Sequence, residues 1–82
     1  MITVRFFAML KGLAKTETKQ YAVESSVTVA ELKKMLRTDF PAIAPLLSGR
    51  SILVAVNQEL AQPDTIVRDG DEVGLLPPFS GG

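Results

Sequence analysis

Apolar and polar residues alternate along the first part of the chain. Every second residue from 2 to 10 is apolar, which predicts a strand with one apolar face made by Ile2, Val4, Phe6, Ala8 and Leu10. Residues 11–15 then predict a connection, and residues 18–23 predict a second strand. Two strands this close in sequence favour a hairpin.

A helix signal follows the predicted hairpin. Thr28 is a favourable N-cap, and Glu31 stands three residues later, which is the spacing of a capping box. Apolar residues then recur at helical intervals, with basic residues on the other side, at positions Val29, Leu32, Leu36 and Phe40. Pro41 predicts that the helix ends near Asp39.

The second half of the chain predicts three further strands. Its segments are, in order, an irregular connection over residues 41–50, an inner strand over 52–56, a turn at Asn57-Gln58, a short edge strand over 59–61, a turn over 69–71 and a last strand over 72–76. This order predicts an α+β fold, the β-grasp or ubiquitin-like fold. In it, one main helix covers one face of a mixed sheet of four to five strands. We place this domain at residues 1–76.

Composition narrows the chemistry that the domain can perform. With 82 residues, 46% of them hydrophobic, the chain has material for one core. Nine basic and nine acidic residues give no net charge, which argues against a nucleic-acid partner. Cysteine and histidine are both absent, so a thiol nucleophile, a zinc–thiolate site and an imidazole base are excluded. We expect no metal site and no catalysis by the chain alone.

Membrane and export signals are absent from the sequence. No apolar run approaches the roughly 20 residues of a membrane span, and no signal-peptide cleavage pattern is present. The expectation is therefore a soluble cytoplasmic protein without a membrane partner.

The last six residues form a candidate functional tail over residues 77–82. Their order is Pro77, Pro78, Phe79, Ser80, Gly81 and Gly82. A diproline favours an extended conformation, and terminal glycines pack against nothing, so the tail can project by up to ~20 Å and enter a narrow slot in another protein. Its only reactive group is the α-carboxylate of Gly82. A frayed terminus is the simpler alternative, but the pattern of residues favours function.

Several stretches together resemble a known family. They are Phe6-Phe7-Ala8, Ala55-Val56-Asn57-Gln58, Asp69-Gly70-Asp71-Glu72-Val73 and the pair Pro77-Pro78 with Gly81-Gly82. The sequence resembles the MoaD-type sulfur carriers, which are the small subunits of molybdopterin synthase. Thiamine-pathway sulfur carriers share the fold and the Gly-Gly end but usually lack the diproline. One departure is that Leu75 and Leu76 stand where family members often carry two phenylalanines.

The resemblance implies a mechanism centred on Gly82. An E1-like adenylyltransferase would join the carboxylate to AMP from ATP, and a sulfur donor would then leave a thiocarboxylate. The tail would enter the large synthase subunit, in a heterotetramer, and give its sulfur to cyclic pyranopterin monophosphate. No resident cofactor is implied, because the acyl adenylate is transient and forms on the partner enzyme.

Three apolar residues are candidates for partner binding. Phe7 lies opposite the apolar face of the first strand, Leu60 on the short edge strand, and Leu76 on the second face of the last strand. Aromatic residues concentrate at interface centres, and the resemblance implies a contact surface at these positions. For Phe7 the alternative is a core residue.

Three classes of function remain open. The chain is a sulfur carrier of molybdenum-cofactor or thiamine-thiazole synthesis, a ubiquitin-like modifier joined to lysines through Gly82, or a β-grasp interaction module with an inert tail. Each class predicts a different covalent state of the terminus.

Overall fold

A computed structural model describes residues 1–49 and 52–77. In these ranges the elements are, in chain order, β1 (Ile2–Phe6), α1 (Met9–Ala14), β2 (Thr18–Tyr21), β3 (Ser26–Thr28), α2 (Val29–Asp39), α3 (Ala44–Ser48), β4 (Leu53–Val56), β5 (Glu59–Leu60), β6 (Ile66–Arg68) and β7 (Glu72–Leu76). Within the same ranges, no helix has the length and apolarity needed to cross a membrane.

The main sheet has five strands in the order β2-β1-β7-β4-β5. The first and last strands lie side by side and parallel at its centre, with Val4 opposite Val73. The other neighbours are antiparallel. β4 is an inner strand and β5 an edge strand, as the sequence predicts. With α2 packed on one face, this mixed sheet confirms the predicted β-grasp fold.

Helix α2 begins and ends where the sequence predicts. The Glu31 N–H donates to Thr28 Oγ1 at 3.1 Å, and the Thr28 N–H donates to Glu31 Oε1 at 2.8 Å, which completes the capping box. The Glu31 carboxylate accepts hydrogen bonds from the Thr28 N–H and from the Thr28 hydroxyl, and these two bonds, that of the N–H first, hold the pKa of Glu31 below its usual range. The helix ends at Asp39, two residues before Pro41.

The core lies between α2 and one face of the main sheet. Its fully buried side chains alternate along the central strands and recur at helical spacing on α2: Ile2, Val4, Phe6, Val73 and Leu75 from the strands, and Val29, Leu32 and Leu36 from the helix. The rings of Phe6 and Phe40 meet edge to face, with centroids 5.0 Å apart. Helix α2 therefore covers one face of the main sheet, and the described residues leave the other face exposed.

The predicted strand over residues 2–10 is too long. β1 ends at Phe6, and Leu10 reaches the core from α1 rather than from a strand. Ala8 is exposed, not buried, because its backbone turns away with φ 53° and ψ −131°. The Leu10 N–H then donates to the Phe7 carbonyl at 3.1 Å, closing the turn.

Other elements also depart from the prediction. The connection over residues 41–50 contains α3, with Pro45 in its first turn, where a missing N–H breaks no helical hydrogen bond. A second, two-stranded sheet pairs β3 with β6. The strand predicted over 18–23 ends at Tyr21. These elements have three to five residues, so each shows no more than two periods of its pattern.

A hydrogen bond ties the edge of the sheet to the end of α2. The Tyr21 hydroxyl donates to Asp39 Oδ2 at 2.6 Å. Burial, followed by this hydrogen bond and the charge of Asp39, raises the pKa of Tyr21 above its ordinary value. The folded state therefore holds the phenol in its protonated form.

We expect Tyr21→Phe to lower the free energy of unfolding by about 1 kcal/mol at neutral pH. Because the folded pKa is raised, the contribution is complete below the ordinary value of 10.0 and declines as the pH rises above it. Urea unfolding of Tyr21→Phe, Asp39→Ala and the double variant measures the coupling between the two residues. Additive losses, or a Tyr21→Phe loss that persists unchanged above pH 10, would contradict this assignment.

Candidate functional site

The open face of the main sheet carries a mixture of apolar and charged residues. Residues paired across neighbouring strands project to the same side, so the register places Arg5 and Gly74 together, and Ala55 beside Gly74 and Leu60. Leu53, opposite Leu76, is also on this face and is 45% exposed. Among the elements that the structure describes, no helix covers these side chains.

A groove of about 500 Å³ runs across the open face. Its walls are formed by Arg5, Phe7, Gln58, Leu60, Glu72 and Leu76, and its floor by Ala55 and Gly74. The groove brings together all three candidate partner-binding residues, which come from the two ends and the middle of the chain. Phe7 is 40% exposed and Leu60 is 74% exposed, so Phe7 lies outside the core.

Gly74 gives the groove its depth beside Phe7. A Cβ atom at position 74 would lie 3.0 Å from Cε2 of the Phe7 ring, a contact tight enough that the ring would have to shift. The missing side chain allows the ring to lie against the strand. The Arg5 guanidinium lies 5.8 Å from the centre of the same ring and 3.5 Å from Glu72 Oε2. The groove therefore has an apolar floor and one charged end.

A rigid hairpin turn places Leu60 on the groove. The Asn57 carboxamide accepts from the Glu72 N–H and donates to Asp71 Oδ1, both at 3.0 Å. Asp71 also accepts from the Arg68 N–H at 2.8 Å, and these two hydrogen bonds, that of Arg68 first, lower its pKa. The turn is thus bound to the loop before β7, and both predicted turns are confirmed.

The groove lies where the chain leaves the sheet. Leu76 is a groove wall and also the last residue of β7, and Pro77 follows it directly. The remaining predicted tail residues, Pro78, Phe79, Ser80, Gly81 and Gly82, lie outside the described residues. The division of the chain into a domain over 1–76 and a tail over 77–82 stays a prediction.

Sequence reasoning missed five of the groove residues, namely Arg5, Ala55, Gln58, Glu72 and Gly74. A signal for four of them was available. Arg5, Glu72 and Gly74 alternate with the buried residues of β1 and β7, as Ala55 does with Val54 of β4. Reading the outer face of each strand as a possible surface would have found them. Gln58 has no such periodic signal, because it lies in a turn.

Comparison with known proteins agrees with the fold. Residues 4–82 match the ThiS family. The chain belongs to this family. It is 37% identical over 82 residues to the molybdopterin synthase sulfur carrier subunit of Escherichia coli, with all of both chains covered. The match confirms the resemblance that the sequence motifs indicate.

Two solved structures show the same architecture. Small archaeal modifier protein 1 of Haloferax volcanii is 30% identical, with 99% of this chain and 98% of that chain covered and a TM-score of 0.87. A second structure, from Helicobacter pylori, is a complex of subunits 1 and 2 of molybdopterin-converting factor. It matches at 28% identity, with 99% and 97% of the chains covered and a TM-score of 0.70. The solved structures that this chain resembles thus include both a subunit of a two-protein complex and a modifier.

Proposed function

We propose that this chain is the sulfur-carrier subunit of molybdopterin synthase. The observation that carries the proposal is the position of the groove at the root of the tail. Leu76 is part of the groove wall, and the predicted tail begins at the next residue. A partner that binds the groove would receive the tail next to its own surface. The similarity to molybdopterin synthase sulfur carrier subunits, at 37% and 32% identity over the whole chain, supports the same function.

The chemistry takes place on the α-carboxylate of Gly82. A carboxylate is a poor electrophile, so an E1-like adenylyltransferase joins it to AMP from ATP and releases pyrophosphate. A sulfur donor then displaces AMP and leaves a thiocarboxylate. The pterin substrate, cyclic pyranopterin monophosphate, takes this sulfur in the synthase, and two carriers in turn supply the two dithiolene sulfurs. The partners provide the acids and bases, since this chain has no histidine and no cysteine.

The groove is the docking surface for the large subunit. Phe7 and Leu60 offer exposed apolar area around an apolar floor, as the centres of protein interfaces do. The complex of two molybdopterin-converting factor subunits from Helicobacter pylori supports a partner of this kind. In the synthase we expect a heterotetramer of two small and two large subunits. The activating enzyme is expected to use an overlapping surface.

A ubiquitin-like modifier is the second candidate function. The similarity to small archaeal modifier protein 1 favours it, because a modifier uses the same activated terminus to form an isopeptide bond with lysine. Mass spectrometry of the protein from its native cells separates the two functions. Exchange of one oxygen for sulfur at the terminus identifies a carrier, isopeptide adducts identify a modifier, and an unmodified terminus contradicts both.

The diproline is expected to direct the tail toward a molybdopterin synthase rather than a thiazole synthase. Pro77 and Pro78 restrict the tail root, which lowers the ordering cost when the tail enters its partner. Thiocarboxylated protein should convert the pterin substrate with the large subunit, and replacement of both prolines by alanine should reduce that conversion while leaving the fold intact.

The same thiocarboxylated protein is assayed in parallel with thiazole synthase and its substrate. Sulfur that enters the thiazole but not the pterin would overturn the assignment to molybdopterin synthesis. It would leave the sulfur-carrier class in place.

A further inference from the structure

The turn between β4 and β5 holds a residue in a backbone conformation that its type disfavours. Asn57 and Gln58 have φ values of 50° and 71°. Two-residue hairpins of this kind favour Asn followed by Gly, because a β-carbon is disfavoured at positive φ. Asn57 fits this preference and uses its side chain to bind the loop before β7. Gln58 occupies the glycine position at a cost in stability.

The Gln58 side chain is not used to hold together the part of the chain that the structure describes. Within residues 1–49 and 52–77, no hydrogen bond to its carboxamide is formed, and the residue is exposed. Its neighbours in the groove offer it no evident partner. Arg5 is paired with Glu72, and the floor is apolar. Gln58 is thus a neutral polar group with a free donor and a free acceptor at the groove wall.

We propose that Gln58 is a specificity-determining residue of the groove, whose carboxamide hydrogen-bonds a main-chain peptide group in an extended segment of the large subunit. The proposal rests on the docking function proposed above. A carboxamide matches a peptide group, since each has one N–H side and one C=O side. The Asn57 side chain binds the loop before β7 and so holds the turn in place, which leaves only the Gln58 side chain, and not its backbone, to be ordered on binding.

The apolar floor of the groove also restricts which side chains the bound segment can carry. A backbone paired with Gln58 would place its neighbouring side chains toward the floor at Ala55 and Gly74, between Phe7 and Leu60. An apolar side chain fits this floor, while a charged one would lose its hydration there. The occupant is therefore an extended segment with an apolar residue next to the peptide group that Gln58 binds.

Two substitutions at position 58 separate docking from backbone effects. Gln58→Gly removes the carboxamide and relieves the positive φ, so the urea midpoint should rise while affinity for the cognate large subunit falls. Gln58→Met keeps the length and the backbone cost, so the midpoint should stay unchanged while affinity falls. We expect each variant to bind about five- to tenfold more weakly, the effect of one lost hydrogen bond. Isothermal titration with the large subunit measures this.

Gln20→Met is the matched control. Gln20 is exposed and lies opposite Thr3 on the same face of the sheet, but outside the groove. Its substitution should leave affinity unchanged. Binding by both Gln58 variants at the affinity of the unsubstituted chain would overturn the inference, as would an equal loss in Gln20→Met.

The titration also separates this inference from the function on which it rests. If Phe7→Ala weakens binding and the Gln58 variants do not, only the role of Gln58 is wrong. If the unsubstituted chain does not bind the large subunit, both the docking function and the role of Gln58 are wrong.

Discussion

Removal of Gly81 and Gly82 is expected to abolish sulfur transfer to the pterin and to leave folding and docking intact. The proposed chemistry needs a carboxylate at the end of a tail narrow enough to enter the partner's active site, and only glycine adds no side chain there. The core and the groove are built from residues 2–76, so the truncated chain keeps both. Molybdopterin formation with the large subunit and the activating enzyme measures the loss.

A chain with one alanine added after Gly82 is the control for this experiment. It keeps both glycines but moves the carboxylate to a different residue, so it should be equally inactive. Circular dichroism and titration with the large subunit confirm that both variants fold and dock. Molybdopterin formation by either variant at the rate of the unsubstituted chain would refute the sulfur-carrier mechanism.

Phe7→Ala is expected to weaken binding of the large subunit by about 1–4 kcal/mol, the range of an interface hot spot. The ring stands at the wall of the groove, beside Arg5 and against Gly74, and a partner would bury its exposed part. The free energy of unfolding should fall by less, because Phe7 is not part of the buried core. Titration and urea unfolding of the same variant give the two values.

Leu13→Ala provides the matched control for Phe7→Ala. Leu13 is 41% exposed, against 40% for Phe7, but it lies on α1 and outside the groove. Its truncation should leave binding unchanged. A large stability loss in Phe7→Ala with unchanged affinity would instead show that Phe7 serves the fold.

Elements with a signal in their own residues could be predicted closely. The capping box of Thr28 and Glu31 and the stop at Pro41 determine both ends of α2 because a helix needs local hydrogen bonds at its termini. Asn57 at its turn is a similar case, since an asparagine tolerates the positive φ that the turn requires. Such signals act over a few residues and are readable from the chain.

Helix α1 lacked a signal of this kind. Leu10 follows Phe6 by four residues, and that interval suits the period of a strand and of a helix equally. The change from strand to helix depends on the positive φ of Ala8. A glycine at this position would have indicated a positive φ, but an alanine gives no such indication. The packing of Leu10 into the core decides the conformation there.

The proposed chemistry of the tail comes from the sequence, while the groove was decided by tertiary structure. The proposal for the α-carboxylate of Gly82 draws on the Gly81-Gly82 pair and on the absence of histidine and cysteine, which are all visible in the sequence. The groove exists only because β1 and β7 pair in parallel at the centre of the sheet, which brings Arg5 to Glu72 and Phe7 to Gly74. Contacts between residues so far apart in sequence leave no local pattern, because burial of the opposite face of the sheet is what brings the two strands together.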